Sequence, residues 1–259
     1  MIKGIDLSEW QEKVDYEALK RDGVEFALLR IGYGKDKYDS NGKLQKDEMF
    51  EEHYAGCKAA GIKVGAYHFS YCTSVENATL EAQNCLSFIE GKEFDLPVYY
   101  DLENENTIGQ LSEDEITLIA LKFCRFLEGE GYKAGVYANL NWFRNKIRVQ
   151  ALELENYSIW LAQWNDTLDA NFKVDIWQNT NYLEVGNISC DGDILINEDL
   201  LNNDTPIPEP SLDVNIYQSL AVDVIFGKYG NGDERKEALG CYYDQVQDIV
   251  NEIYNIILE

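Results

Sequence analysis

Over roughly its first two hundred residues the chain alternates short apolar runs with longer amphipathic stretches, and then the alternation stops. Residues 3–8 (KGIDLS), 26–32 (FALLRIG), 63–70 (KVGAYHFS), 97–103 (PVYYDLE) and 133–139 (KAGVYAN) are rich in β-branched and aromatic side chains and read as strands. Each is followed by helical periodicity: VDYEALKRDG closed by Gly23, a helix over 48–60 stopped by Gly61, one capped by Ser74, one opened by the capping box Ser112–Glu115, and a segment over 140–152. Residues 159–164 (IWLAQW), 174–178 (VDIWQ) and 193–196 (DILI) then follow as strands with no convincing helix between them. Five β/α units plus three strands make eight strands, the number that closes into a barrel filled by side chains. The predicted fold is α/β, an irregular TIM-like barrel over residues 1–201. An open doubly wound sheet is the alternative, but G-x-G-x-x-G is absent and three terminal strands in a row fit it poorly.

Beyond the barrel, three of the four prolines fall in residues 202–211, which read as an extended, semi-rigid linker. Residues 212–259 regain helical periodicity in SLAVDVIFG and YYDQVQDIVNEIYNIIL around a glycine-rich turn, GKYGNGDERK. A small bundle of three helices is expected there. Modules of that size are marginal alone, so self-association through it is an expectation as well.

Composition narrows the function. A net charge of −25 argues against a nucleic-acid partner and against a basic membrane-surface helix. No apolar run approaches the ~20 residues that span a bilayer. The N-terminus runs straight into GIDLS without a signal-peptide core, so synthesis in a cytoplasm is expected, with any wall target reached afterwards. The six cysteines show no paired spacing and there are only two histidines, so buried thiols are expected, with no metal and no cofactor.

In a β/α barrel the functional side chains sit at the C-terminal ends of the strands. Those ends supply Asp6 and Ser8, Arg30, Tyr67 and His68, Asp101 and Glu103, Tyr137 and Asn139, Gln163 and Trp164, Gln178, and Asp191 with Asp193. Asp101 and Glu103 are two apart on one strand and so share a face. D-x-E is a cheap match in a chain with 47 acidic residues, but acids at four separate strand ends are harder to read as a solvated surface. Paired carboxylates suit glycosidic bond cleavage, which needs a proton donor and a negative charge beside an oxocarbenium-like centre. Aromatic faces with amide edges suit a sugar. On this reading Tyr67, Tyr137, Trp164, Gln163, Gln178, Arg30 and Asp193 are the substrate-groove candidates, while His68 reads as structural.

The segments GIDLSEWQ, GAYHFS, YYDLE, GVYAN, WLAQW and IWQ occur in the order seen in glycoside hydrolase family 25, the muramidases or Chalaropsis-type lysozymes common among phage endolysins. The chain resembles that family over residues 2–200. The resemblance implies a barrel of five β/α units and three strands, and cleavage of the β-1,4 bond between N-acetylmuramic acid and N-acetylglucosamine in Gram-positive peptidoglycan. It implies Glu103 as general acid, Asp101 as its partner carboxylate and Asp6 as an orienting acid. A fourth acid falls in Cys190-Asp191-Gly192-Asp193, with Asp191 favoured over Asp193; the glycine departs from the family's larger residue. Two acids on alternate positions of one strand favour participation by the substrate's own N-acetyl carbonyl over a separate protein nucleophile.

The tail resembles the cell-wall-binding repeat first seen in a pneumococcal phage lysozyme, through Leu220-Ala221, Val224-Ile225, GKYGNG, Glu234-Arg235 and YYDQVQDIVNEI. That resemblance implies a three-helix module binding peptidoglycan fragments, with Lys228, Tyr229, Gly230, Asn231 and Arg235 as contact candidates. Together these point to an endolysin released from a host cytoplasm. A non-catalytic wall-binding protein that kept the fold, and a chitinase-like hydrolase of another N-acetyl sugar polymer, are the competing readings.

Overall fold

The computed structural model describes residues 2–201, 220–222, 224–225, 229–232, 235–236, 239 and 243–258. The expected linker, Lys228 and Cys241 lie outside them. The chain divides into two compact units, Met1–Thr205 and Pro206–Glu259.

The first unit is a closed barrel of eight strands taken in sequence order: β1 (Ile2–Leu7), β2 (Phe26–Tyr33), β3 (Lys63–Phe69), β4 (Val98–Asp101), β5 (Ala134–Asn139), β6 (Ser158–Ala162), β7 (Ile176–Val185) and β8 (Ile188–Leu195). Neighbours from β1 to β7 are parallel; β8 runs antiparallel to both β7 and β1 and closes the ring. The helices α1 (Tyr16–Arg21), α2 (Phe50–Ala59), α3 (Val75–Ile89), α4 (Glu113–Gly129), α5 (Leu140–Asn145) and α6 (Val149–Leu154) occupy the connections up to β6. Asp15 caps α1, and α4 opens with the Ser112/Glu115 capping box. The segment expected as one helix over 140–152 is two short ones, broken around Lys146 and restarted at Arg148, whose N–H donates to Thr117 Oγ1.

Alternation along β4 explains how one strand serves two environments. Tyr99 points inward and joins Phe26, Leu28, Tyr67, Tyr137 and Trp160 in the barrel interior. Trp160 is the hub, its ring 4.3 Å from Tyr137 and 5.5 Å from both Tyr67 and Tyr99. Tyr100 points outward, stacks on Phe123 of α4 at 3.9 Å and donates to buried Glu81 of α3 at 2.7 Å. The same parity sends Asp101 inward. The interior is tight at its base, where a Cβ built on Gly4 would stand 2.2 Å from the Phe26 ring. Gly4→Ala is therefore expected to cost about 1–3 kcal/mol by overpacking, read as a lower urea midpoint at unchanged slope.

The last strands depart from expectation in length. β7 and β8 form a hairpin that runs well beyond the apolar segments read as strands, turning at Gly186 (φ 56°) and Asn187. Its outer part is polar because both faces leave the core, so no period-2 signal marks it. The tip is held by Asn187, which accepts from Asp15 N–H and donates to Lys13 O, both at 2.7 Å. His68 lies outside the barrel lumen, bonded to Gly34 O and stacked on Phe123; burial pushes it down to about 4. His53 bridges Tyr16 and Ser8 O. Cys57, Cys72, Cys85, Cys124 and Cys190 are free and buried.

In the second unit the helix α7 (Tyr243–Leu258) presents Val246 and Val250 to Ala221, Val224 and Leu239 in a small core of its own, with Tyr229 packed against it. Gly230 and Gly232 take positive φ. Arg235 clasps this turn, donating to Gly230 O at 3.1 Å and Asn231 Oδ1 at 3.0 Å, and reaches Gln247 Oε1 at 3.1 Å.

Candidate active site

The strand ends bring acids from three strands to one mouth. Asp6 stands one residue before the end of β1 and lies in register with Asp191 of β8. Asp101 ends β4, in register with Phe69 of β3 and Tyr137 of β5. Glu103 follows two residues on and is solvent-accessible. A parallel barrel places these ends together because all seven parallel strands run the same way, while β8, antiparallel, contributes residues from its N-terminal half.

One amide organises the floor. Gln178 Nε2 donates to Asp6 Oδ2 at 2.8 Å and to Asp191 Oδ2 at 3.2 Å. Its Oε1 accepts from Tyr137 Oη and from Trp164 Nε1, both at 3.1 Å. Both ends of the amide are therefore in use. Gln178 ties two acids, a buried tyrosine and an exposed tryptophan into a single network.

Electrostatics follow from crowding. Burial, reinforced by the charges of Asp191 and Glu103, pushes Asp6 up to about 7, although its bonds from Gln178 and Asp193 pull the other way. Burial, then Glu103 and Asp6, hold Asp101 well above the ordinary carboxylate range, against the pull of Arg30. Glu103 is also raised. Its carboxyl meets solvent, yet the surrounding walls displace much of its hydration, and Asp191 adds repulsion. Asp191 rises through partial burial. The four carboxyl groups are thus harder to ionise together than they would be apart. Asp101 Oδ1 is buried without a hydrogen-bond partner among the described residues.

The remaining groove candidates separate by what holds them. Tyr67 and Tyr137 are nearly buried and wall the floor. Trp164 stands at the rim, 58% exposed. Arg30, expected in the groove, is instead tied to Asp47 at 2.7 Å and Glu9 at 2.8 Å, because the buried Asp47 carboxylate needs a cation. Gln163 turns its Oε1 to Asp169 N–H at 2.8 Å and braces the loop after β6. Asp193 sits below the mouth, 2% exposed, bonded to Trp160. These three have partners within the protein in place of an open face. Residue reading overlooked Asp47 and Trp10. Asp47 also accepts from Glu9 N–H and Met49 N–H, and so shapes the loop after β1; Trp10 on that loop is 77% exposed. The signal for Asp47 was its Asx-type bond two residues on, hidden in a polar loop. Among the described residues no group of three or more His, Cys, Asp or Glu is placed to hold a metal ion.

Known proteins share this arrangement of strands. The chain is 28% identical over 174 residues to the autolytic lysozyme of Clostridium acetobutylicum, an alignment covering 66% of this chain and 48% of that one. It therefore spans about half the length of that relative. The crystal structure of the bacterial lysozyme from Streptomyces coelicolor superposes with a TM-score of 0.62 at 21% identity, over 75% of this chain and 92% of that one. The CTP1L endolysin gives 0.64 at 19% identity, over 98% of this chain and 100% of that one. A CW_7 repeat matches residues 218–254. With the barrel, its acidic mouth and a match over residues 5–188 to the family described as glycosyl hydrolases family 25, the chain belongs to that family.

Proposed function

We propose that this chain is an endolysin-type N-acetylmuramidase, hydrolysing the β-1,4 bond between N-acetylmuramic acid and N-acetylglucosamine. The observation that carries the reading is the convergence of Asp6, Asp101, Glu103 and Asp191 on one barrel mouth with their carboxyl groups raised together. Glu103, accessible and raised, holds the proton a leaving glycosidic oxygen needs, and afterwards takes one from the attacking water.

Asp101 is suited to a different task. Its buried Oδ1 has no hydrogen-bond partner among the described residues, and an amide N–H donated to it would favour its ionised form. A substrate N-acetyl group bound there is oriented for attack by its own carbonyl. The charge it leaves on Asp101 strengthens the hold of Glu103 on its proton. Asp6 and Asp191, joined through Gln178, fix the opposite side of the mouth. Trp164 offers an indole face to a sugar ring, so Trp164→Ala is expected to raise KM roughly three- to tenfold with kcat kept, measured on soluble glycan chains.

The domain plan joins a catalytic barrel over 1–201, a linker over 202–211 and a wall-binding module over 212–259. The partner is the wall of a Gram-positive bacterium, approached after release from a cytoplasm, and pairing of two chains through the module adds avidity to a single weak site. Mass spectrometry of digested, purified peptidoglycan tests the chemistry. New muramic-acid reducing ends are the expected product. N-acetylglucosamine reducing ends would move the bond, and intact glycan with wall binding retained would make the chain a binder.

A further inference from the structure

Asp193 is the one acid of the cluster that does not reach the mouth. It lies one layer down, opposite Gly4 of β1 and Gln178 of β7. Its Oδ1 accepts from Trp160 Nε1 at 2.8 Å. Its Oδ2 is buried and meets no donor among the described residues. The acid beside it is Asp6, two residues along the same face of β1 from Gly4, the register partner of Asp193, and the two carboxyl groups act on each other.

Among the described residues neither acid has an ion pair with a cation. Arg30 of β2 is committed to Asp47 and Glu9. Tyr99 of β4 shares its hydroxyl with Ser158 Oγ at 2.8 Å. Gln178 gives its N–H bonds to Asp6 and Asp191. The neighbouring titratable groups, Asp191 on the same strand and Glu103 acting on Asp6, are acids and offer no positive charge. Two carboxylates are acceptors only, so a bond between them requires one proton. Each accepts one bond from another side chain, so the more deeply buried acid, Asp193, keeps it.

We propose that Asp193 is a neutral carboxylic acid at pH 7 and a positioning residue, donating its Oδ2–H to Asp6. Asp6 then receives bonds from Asp193 and from Gln178, which favour its ionised form and aim its carboxyl at the mouth. Burial and the Asp6 charge hold Asp193 well above the carboxylate range, whereas donation from Asp193 and Gln178 favours the charged form of Asp6. The division of labour is physical: the deep acid supplies a fixed hydrogen, and the shallow acid is the one that titrates. This assignment rests on reading Asp6 as part of the hydrolytic site.

Asparagine is the natural probe, since its amide copies a protonated aspartate, donating to Asp6 and accepting from Trp160. Asp193→Asn should release muropeptides at close to the wild-type rate. Asp193→Ala should lower kcat about 100-fold with KM kept, as Asp6 loses its orientation. Infrared difference spectra of the full chain at pH 7, wild type minus Asp193→Asn, should show loss of one protonated-carboxyl C=O band with the carboxylate bands unchanged. Loss of a carboxylate band, or an asparagine variant as impaired as the alanine one, would overturn the assignment. If Asp193→Asn does not fold, Trp160→Phe decides: a shifted protonated C=O band supports the neutral acid, and a shifted carboxylate band refutes it. The infrared readout is independent of turnover, so an inactive wild type would overturn the hydrolase reading without touching this one.

Discussion

Glu103→Gln is expected to lower kcat on purified peptidoglycan by about 10³-fold while leaving binding to the wall unchanged. Glutamine keeps the shape and polarity of the side chain, so the mouth should not rearrange. What it lacks is a proton that can be given to the leaving oxygen and taken back from water. Because Glu103 is accessible and carries no ion pair among the described residues, its replacement should cost little stability. A low kcat with an unchanged unfolding midpoint is therefore the signature of its chemical role. Activity above a tenth of wild type would remove Glu103 from that role. Asp101→Asn is a useful comparison: it keeps the proton donor and alters what holds the N-acetyl group, so its loss should persist on a substrate with an activated leaving group, where the Glu103→Gln loss should shrink.

The second large effect is on stability. Asp6 is raised from 3.8 to about 7 in the folded barrel, chiefly by burial and then by Asp191. Between those values the folded state binds a proton that the unfolded chain releases, so the unfolding free energy falls as pH rises. The contribution is fully present below about pH 4 and lost by the time pH passes 7. At its limit it is on the order of 4 kcal/mol, about three pH units at 1.36 kcal/mol each. Asp101 and Asp193, also raised by burial and like charge, act in the same direction. Asp6→Asn removes its own share, so urea titrations at pH 4.5 and 7.5 should differ less for the variant than for wild type. Equal differences in the two proteins would show that Asp6 does not carry this proton.

Much of this was legible in the chain. Asp101 could be placed inward at the end of β4 because β alternation is a local property of φ and ψ, although the strand stops there and Glu103 lies beyond it; the capping box at Ser112 was readable for the same local reason. Barrel closure followed from counting strands, since the apolar periods of the first seven survive in the sequence. The β7–β8 hairpin was only half visible: its outer residues leave the core, so nothing in their hydrophobicity marks them.

The partners were not legible, because they come from residues far apart in the chain. Gln178 bonds to Asp6 across 172 positions, and no local rule announces such a pair. Arg30 read as a groove cation until the fold delivered Asp47 and Glu9 to it. Asp191 and Asp193 look alike as letters two apart; only closure of β8 against β1 puts one level with Asp6 at the mouth and the other beneath it against Trp160. Sequence by itself determined which residue types stand at the strand ends and which face each takes, since those depend on neighbours along the backbone. Tertiary structure alone decided which acids share a proton, a donor or a burial cost, because desolvation and Coulomb repulsion depend on distance in space.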